Sequence, residues 1–254
     1  MVFFESLLVA LSTYSAIPTP QFEWNQRNMK YSLCFMPVIG VLVGLLLWGW
    51  GLLSQRLGLS GFLFAAVACC LPLLLTGGIH MDGYMDTCDA LASHQTMERK
   101  LEIMKDPNCG AFAVIYCAVY LLLQLGLFYQ LYEAGTLAVL CPAYVLSRAC
   151  SALCGVTLPK ARKNGMLNAY TKDNATKVTV TVMALVILAA MAVTLWLSPL
   201  AGAGALVLVG LAVLWYRSMT MRMFGGVTGD TSGFAIQLCE LAFLLGALVG
   251  GLLG

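Results

Sequence analysis

Charge is scarce in this sequence. Only 10% of its 254 residues are Asp, Glu, Lys or Arg, while 60% are hydrophobic. A soluble domain carries about a quarter charged residues, so a water-facing surface cannot be built from this stock. Excess of one sign is also missing: a net charge of +2 leaves no electrostatic footprint for a nucleic-acid partner. Histidine occurs twice and CxxC never, which removes the usual zinc clusters. Cysteine itself is present. Cys34, Cys69, Cys70, Cys117, Cys141, Cys150, Cys154 and Cys239 lie in or at the ends of apolar runs, where cysteine acts as a small hydrophobe. Cys88 and Cys109 adjoin the acidic segments described below, but thiols are poor magnesium ligands. No low-complexity linker or fixed-period repeat divides the chain, so residues 1–254 read as a single domain. The opening MVFFESLLVALSTYSAIPTP lacks the basic lead of a secretory signal, carries Glu5 and is broken by Pro18 and Pro20. An interfacial or re-entrant helix is expected there.

What the chain does have is long apolar runs. A membrane crossing needs about 20 mostly apolar residues. Seven stretches qualify, near 32–53, 61–77, 110–132, 136–156, 177–197, 201–217 and 235–253. Unpaired backbone in hydrocarbon excludes open sheets, so the expected fold is an all-α, polytopic membrane helical bundle. Short and long connections alternate. The long ones, with the approach to the first span, collect Arg27, Lys30, Arg99, Lys100, Lys105, Lys160, Arg162, Lys163, Lys172, Lys177, Arg217 and Arg222. Against these stand Arg56 on the opposite side and Arg148 inside a span. Excess lysine and arginine marks the cytoplasmic side, which orients the long loops toward the cytoplasm.

Acids converge on the same side, although the positive-inside rule does not concern them. Asp82, Asp86, Asp89, Glu98, Glu102, Asp106, Asp173 and Asp230 fall in the long connections, and Glu240 lies near the start of the last span. In GGIHMDGYMDTCDA, residues 77–90, Asp82, Asp86 and Asp89 are spaced i, i+4, i+7, one stripe of a helix. Like charges so placed repel unless a cation neutralises them. The plainer alternative is a solvated acidic face, yet the segment holds no lysine or arginine to pair with. Oxygen-only donors select magnesium (Mg2+) or manganese. Gly77, Gly78 and Gly83 would let a phosphate or backbone approach.

Two further segments join this one. MERKLEIMKDPNCG, residues 97–110, repeats the acidic spacing in Glu98, Glu102 and Asp106, with basic residues interleaved as on any solvated helix. Asp106 is its candidate for the reaction and Lys105 for a phosphate. In GGVTGDTSG, residues 225–233, Gly226, Thr228, Gly229 and Thr231 offer N–H groups and hydroxyls to an anion, and Asp230 can complete a metal shell. The segment has no Gly-Lys-Ser/Thr, so it is not a Walker A loop. Arg148 and Glu240 are expected either to reach phosphate and metal or to form a structural pair. His80 serves either as general base or as a hydrogen-bonding group at a helix start. His94 reads as a surface residue.

These segments, with Ser147-Arg148 and ALSTYSAIPTP, resemble in order and separation the cobalamin-5′-phosphate synthase (adenosylcobinamide-GDP ribazoletransferase) family. The 158–176 loop is the part left unmatched. The resemblance implies a magnesium-dependent transfer at the bacterial cytoplasmic (inner) membrane, with the active site on the cytoplasmic face. A hydroxyl of α-ribazole or its 5′-phosphate attacks the cobinamide-linked phosphorus of adenosylcobinamide-GDP, and GMP leaves. Asp82, Asp86 and Asp89 would hold metal, joined by Asp230 or Glu240, with Asp106 or His80 activating the hydroxyl. Gly77, Gly78, Lys105, Arg148 and the 225–233 loop would hold phosphates. The lipid bilayer is the implied surrounding, and a homo-oligomer is left open. Two rival classes are weaker. One is another membrane enzyme acting on a diphosphate, a prenyltransferase or a CDP-alcohol phosphotransferase; the latter needs Asp-Gly-x-x-Ala-Arg, and after Asp82-Gly83-Tyr84-Met85 the chain has Asp86-Thr87 instead. The other, an ion-coupled transporter, needs midplane acids on related halves.

Overall fold

The computed structural model describes residues 2–20, 23–162, 165–172 and 174–253. Lys163 and Asp173, assigned above to the long loops, lie outside them. Twelve α-helices follow in order among the described residues. They are α1 (Val2–Tyr14), α2 (Gln26–Met29), α3 (Met36–Arg56), α4 (Gly61–Thr76), α5 (Ile79–Ala92) and α6 (Met97–Ile103). Then come α7 (Ala111–Glu133), α8 (Leu140–Thr157), α9 (Met166–Lys172), α10 (Thr176–Leu197), α11 (Pro199–Phe224) and α12 (Gly229–Leu252).

The segments Ser32–Arg56, Ala111–Glu133, Leu137–Thr157, Thr176–Leu197, Pro199–Phe224 and Gly229–Leu252 are long and apolar enough to cross a membrane. Helix α4 is the seventh expected span. Its 16 residues rise about 24 Å, and the chain then bends by 97° into α5. Each expected stretch therefore coincides with an observed helix. The bend comes from two glycines: Gly77 and Gly78 have φ of 62° and 77°, a region costly for residues with a Cβ. The Gly78 N–H closes α4 on the Leu73 carbonyl at 2.9 Å. Helix α5 leaves the spanning direction here and runs across one end of the bundle.

Packing sorts the spans. Helices α8 and α12 are the most enclosed, while α7, α10 and α11 expose large apolar side chains such as Leu122, Trp196 and Leu211. In a bilayer those faces meet lipid. Between α11 and α12 the contact is made through glycine. A Cβ on Gly246 would lie 2.7 Å from the Ala205 Cα, and one on Gly204 would meet the Gly246 carbonyl. Small residues are what lets membrane helices approach backbone to backbone.

Helix α1, at 13 residues, is too short to cross. Ser6, Val9 and Ala10 are buried, while Phe3 and Phe4 are exposed, as suits an interfacial helix. It is tied to the bundle end by Ser6 Oγ donating to the Asn28 carbonyl (2.7 Å) and by the Ala16 N–H donating to Leu75 (2.8 Å). Helices α1, α5, α6 and α9 and the turn into α12 all gather at that end.

Gly246→Val should force α11 and α12 apart and cost about 1–3 kcal/mol, as overpacking does. A lowered unfolding midpoint in detergent checks this; an unchanged midpoint would show the close approach to be dispensable.

Candidate active site

The gathered elements enclose a cavity of about 290 Å³. Ile79, His80, Asp82 and Gly83 of α5 form one wall, and the 227–233 segment forms another. Ser151, Ala152 and Gly155 of α8 close a third side, with Arg162 and α9 opposite α1. The first two walls meet because of glycine. A Cβ on Gly83 would stand 2.7 Å from the Asp230 carbonyl oxygen, and one on Gly233 would stand 2.9 Å from that of His80. Asp82 and Asp230, 148 positions apart in sequence, therefore face one space. A shallower recess beside Asp82 is bordered by Gly77 and Gly78. Those two glycines thus serve the turn and leave an open edge; neither lines the main cavity.

The turn into α12 is built by pairing with a loop the sequence left unassigned. The Val227 N–H donates to Pro159 (2.8 Å), and Ala161 N–H donates to Val227 (3.0 Å). Gly226 permits this, since a Cβ there would stand 2.5 Å from the Pro159 carbonyl. Its role is this backbone contact, not the phosphate contact expected. Thr228 and Thr231 form a reciprocal capping box on α12. Thr231 is fully buried with its Oγ1 accepting from the Thr228 N–H at 2.8 Å. The Thr231 hydroxyl is therefore spent on the cap. Gly229 and Thr228 line the cavity, so the positive end of α12 faces it.

The same pairing delivers Arg162, which the sequence reading missed. Its Nη2 donates to the Leu101 carbonyl at 2.7 Å, and Nη1 lies 3.4 Å from Asp230 Oδ2. Its Nε is buried without a partner. The pair is 19% and 28% exposed, open enough for a ligand to reach. Arg162 lines the cavity, whereas Arg148 and Lys105 do not. Nothing in its sequence neighbourhood, a loop rich in lysine and arginine, distinguishes it; only the bridge to Val227 does.

Several expected residues are placed elsewhere. Arg148 and Glu240 are each 1% exposed and paired at 2.6 Å, with Ser147 Oγ 3.3 Å from the same carboxylate oxygen. Neither lines the cavity. Ten residues separate Glu240 from Asp230, about 15 Å along α12, which is beyond a shared ion with ligands near 2 Å. The structural pair is correct, and Glu240 is withdrawn from the metal set. Asp106 lies past the end of α6, fully exposed, with its Oδ1 accepting from Asn108 N and Nδ2 at 2.9 and 2.8 Å. Those bonds hold its carboxyl below the usual range. Lys105 is exposed next to it. Neither enters the cavity lining. Asp89 points to the start of α7, against Gly110.

Asp86 is half-buried one turn beyond Asp82. Burial, then the carboxylates of Asp82, Asp230 and Asp89, push it up to about 7, with Arg162 opposing. The acids are thus close enough to feel one another and short of positive charge. Among the described residues, no three of His, Cys, Asp or Glu enclose an ion by themselves. This donor set fits a hard divalent cation of the kind that takes one or two carboxylates and completes its shell with water and phosphate. His80 is buried, and its Nε2 lacks a partner. Burial and the nearby Arg148 hold its imidazole well below the usual range, so it is neutral. It lines the cavity together with Asp82.

Acids, a guanidinium and a helix N-terminus thus converge at one end of a helical membrane bundle, an arrangement suited to phosphate groups. Comparison with known proteins agrees. The profile of the cobalamin-5-phosphate synthase family matches residues 6–248, and the chain belongs to that family. An adenosylcobinamide-GDP ribazoletransferase of Lachnoclostridium phytofermentans is 36% identical over 242 residues, covering 95% of this chain and 92% of the relative. Proteins of the same name from Pseudomonas entomophila and Desulfitobacterium hafniense are 37% and 35% identical. They cover 96% and 95% of this chain, and 94% and 95% of the relatives. No solved structure matches the chain.

Two substitutions separate the roles assigned here. Arg148→Met strands a buried carboxylate and should cost about 3–5 kcal/mol, whereas Arg148→Met with Glu240→Leu should recover most of that stability and retain turnover. A stable but inactive double variant would return the pair to the chemistry. Gly83→Ala should keep the protein folded yet lower turnover on the order of 10²-fold, the effect of an ångström-scale misplacement; a native rate would contradict the close α5–α12 contact.

Proposed function

We propose that this enzyme transfers the adenosylcobinamide phosphate group from adenosylcobinamide-GDP to the ribose 3′-hydroxyl of α-ribazole or of its 5′-phosphate. The hydroxyl oxygen bonds to the cobinamide-linked phosphorus, the bond to the bridging oxygen of the diphosphate breaks, and GMP leaves with that oxygen. The hydroxyl proton passes to a base. Adenosylcobalamin, or its 5′-phosphate, is the product. Membership in the family supports the reaction class, and the relatives' names supply the donor.

The observation that carries this reading is the meeting of Asp82, Asp230 and Arg162 in one cavity at the start of α12. Charge on a transferring phosphoryl group is stabilised by fixed cations and dipoles more than by covalent chemistry. Arg162 would take phosphate oxygens, with the N–H group of Gly229 at the start of α12 beside it. A magnesium or manganese ion held by one or two of the carboxylates of Asp82, Asp86 and Asp230, with water and phosphate completing its shell, would offset the charge of the diphosphate when bound. His80, neutral and with an open Nε2, is the candidate acceptor for the hydroxyl proton. The excess of lysine and arginine in the same connections supports a cytoplasmic position for this end, at a bacterial inner membrane.

The purified protein in lipid nanodiscs, given adenosylcobinamide-GDP, α-ribazole 5′-phosphate and magnesium, should yield adenosylcobalamin 5′-phosphate and GMP in equal amounts by mass spectrometry. A chelator should stop the reaction, and Asp82→Asn should slow it on the order of 10²–10³-fold. Release of GMP without a joined corrinoid product would overturn the assignment, and a native rate in Asp82→Asn would remove the acidic wall from it.

A further inference from the structure

The cavity has two unlike ends. Asp82, Asp230 and Arg162 stand at one; the other is built from Tyr14, Leu33, Met36, Leu167 and Tyr170. Rings dominate this second end. Tyr14 stacks on His80 with centroids 6.1 Å apart and planes at 27°, and Tyr170 lies 6.2 Å from Tyr14. The Tyr170 hydroxyl is fixed by a 2.5 Å hydrogen bond with Thr13 Oγ1. Trp24 meets the same ring edge-on at 6.1 Å. Across from them Ala152 and Gly155 of α8 keep the space open, the latter with only Leu167 near its missing Cβ.

Resting on the transfer reaction above, we propose that this end seats the flat heteroaromatic base of the nucleoside acceptor against the rings of Tyr14 and Tyr170. The ribose then points toward Asp82 and Asp230, so the aromatic end fixes which hydroxyl meets the phosphorus. Ring faces bind any planar base through its π surface, and the surrounding leucine and methionine reward a base with few polar edges. The guanine of the donor is the competing occupant. Its donor-rich edge calls for a carboxylate, and the two acids lining the cavity, Asp82 and Asp230, are the ones assigned above to the cation and the phosphates. Helix α1 thereby acquires a role: it carries both Tyr14 and the hydroxyl that holds Tyr170.

Two measurements test this. In steady-state kinetics, Tyr170→Leu should raise the KM for α-ribazole 5′-phosphate about tenfold, the scale of one lost stacking contact, with the KM for adenosylcobinamide-GDP and kcat little changed. Tyr170→Phe, which keeps the ring, should restore most of the affinity. A rise confined to the donor's KM would give the site to guanine and overturn the proposal, as would equal rises for both substrates. On the native protein, α-ribazole added alone should shift tryptophan emission, ribose 5-phosphate should not, and Trp24→Phe should abolish the response. No response to α-ribazole in otherwise active protein would also overturn it. Absence of any transfer by native protein would instead sink the reaction, leaving the fluorescence result to judge the subsite.

Discussion

Helix α5 touches the first turn of α12 backbone to backbone, and the rest of the site follows from that contact. Gly83 lies under the Asp230 carbonyl and Gly233 under that of His80. Any side chain at either position would separate the helices by the thickness of a methyl group. The neighbours of these glycines are the functional candidates: Asp82 precedes Gly83, and Asp230 with Thr228 precedes Gly233. A membrane protein has little polar material to spend, and here glycine concentrates it. The bend at Gly77-Gly78 makes the contact possible by turning α5 off the axis of α4 and across the top of α12.

Electrostatics explains why such a concentration is tolerated. Asp86, pushed up to about 7 by burial and by its acidic neighbours, marks a region that is under-compensated by the protein's own cations. Arg162 answers only part of the deficit, at 3.4 Å from Asp230. Deeper in the bundle the opposite solution holds, where Arg148 and Glu240 neutralise each other completely. One pair is closed and structural; the other group is open and short of positive charge. The proposed cation and substrate phosphates belong to the open group.

How much of this could be read from sequence depends on which physical signal each part leaves. The long apolar helices were legible because hydrocarbon thickness sets the length of an apolar run, and the gathering of the acids because charge is so rare elsewhere. Asp82 and Asp230 stood out as unpaired carboxylates beside glycine. Arg162 left no such mark, since its place is set by the pairing of Pro159 and Ala161 with Val227, a long-range contact without periodicity. Asp106 stands apart from the cavity because α6 ends at Ile103, before reaching it. For Arg148 and Glu240 the sequence left two alternatives open, and the pair across two spans is the one observed. Thr231 and Gly226 have the composition of an anion loop but are used for capping and close packing.

The claim that carboxylates of α5 and α12 share one divalent ion with a diphosphate is tested most directly by pulsed electron–nuclear double resonance on manganese-loaded protein with GDP added. The account predicts phosphorus coupling to the manganese in native protein, with metal binding weakened by Asp82→Asn and Asp230→Asn alike. Manganese held equally well by both variants, and without phosphorus coupling in the native protein, would contradict it.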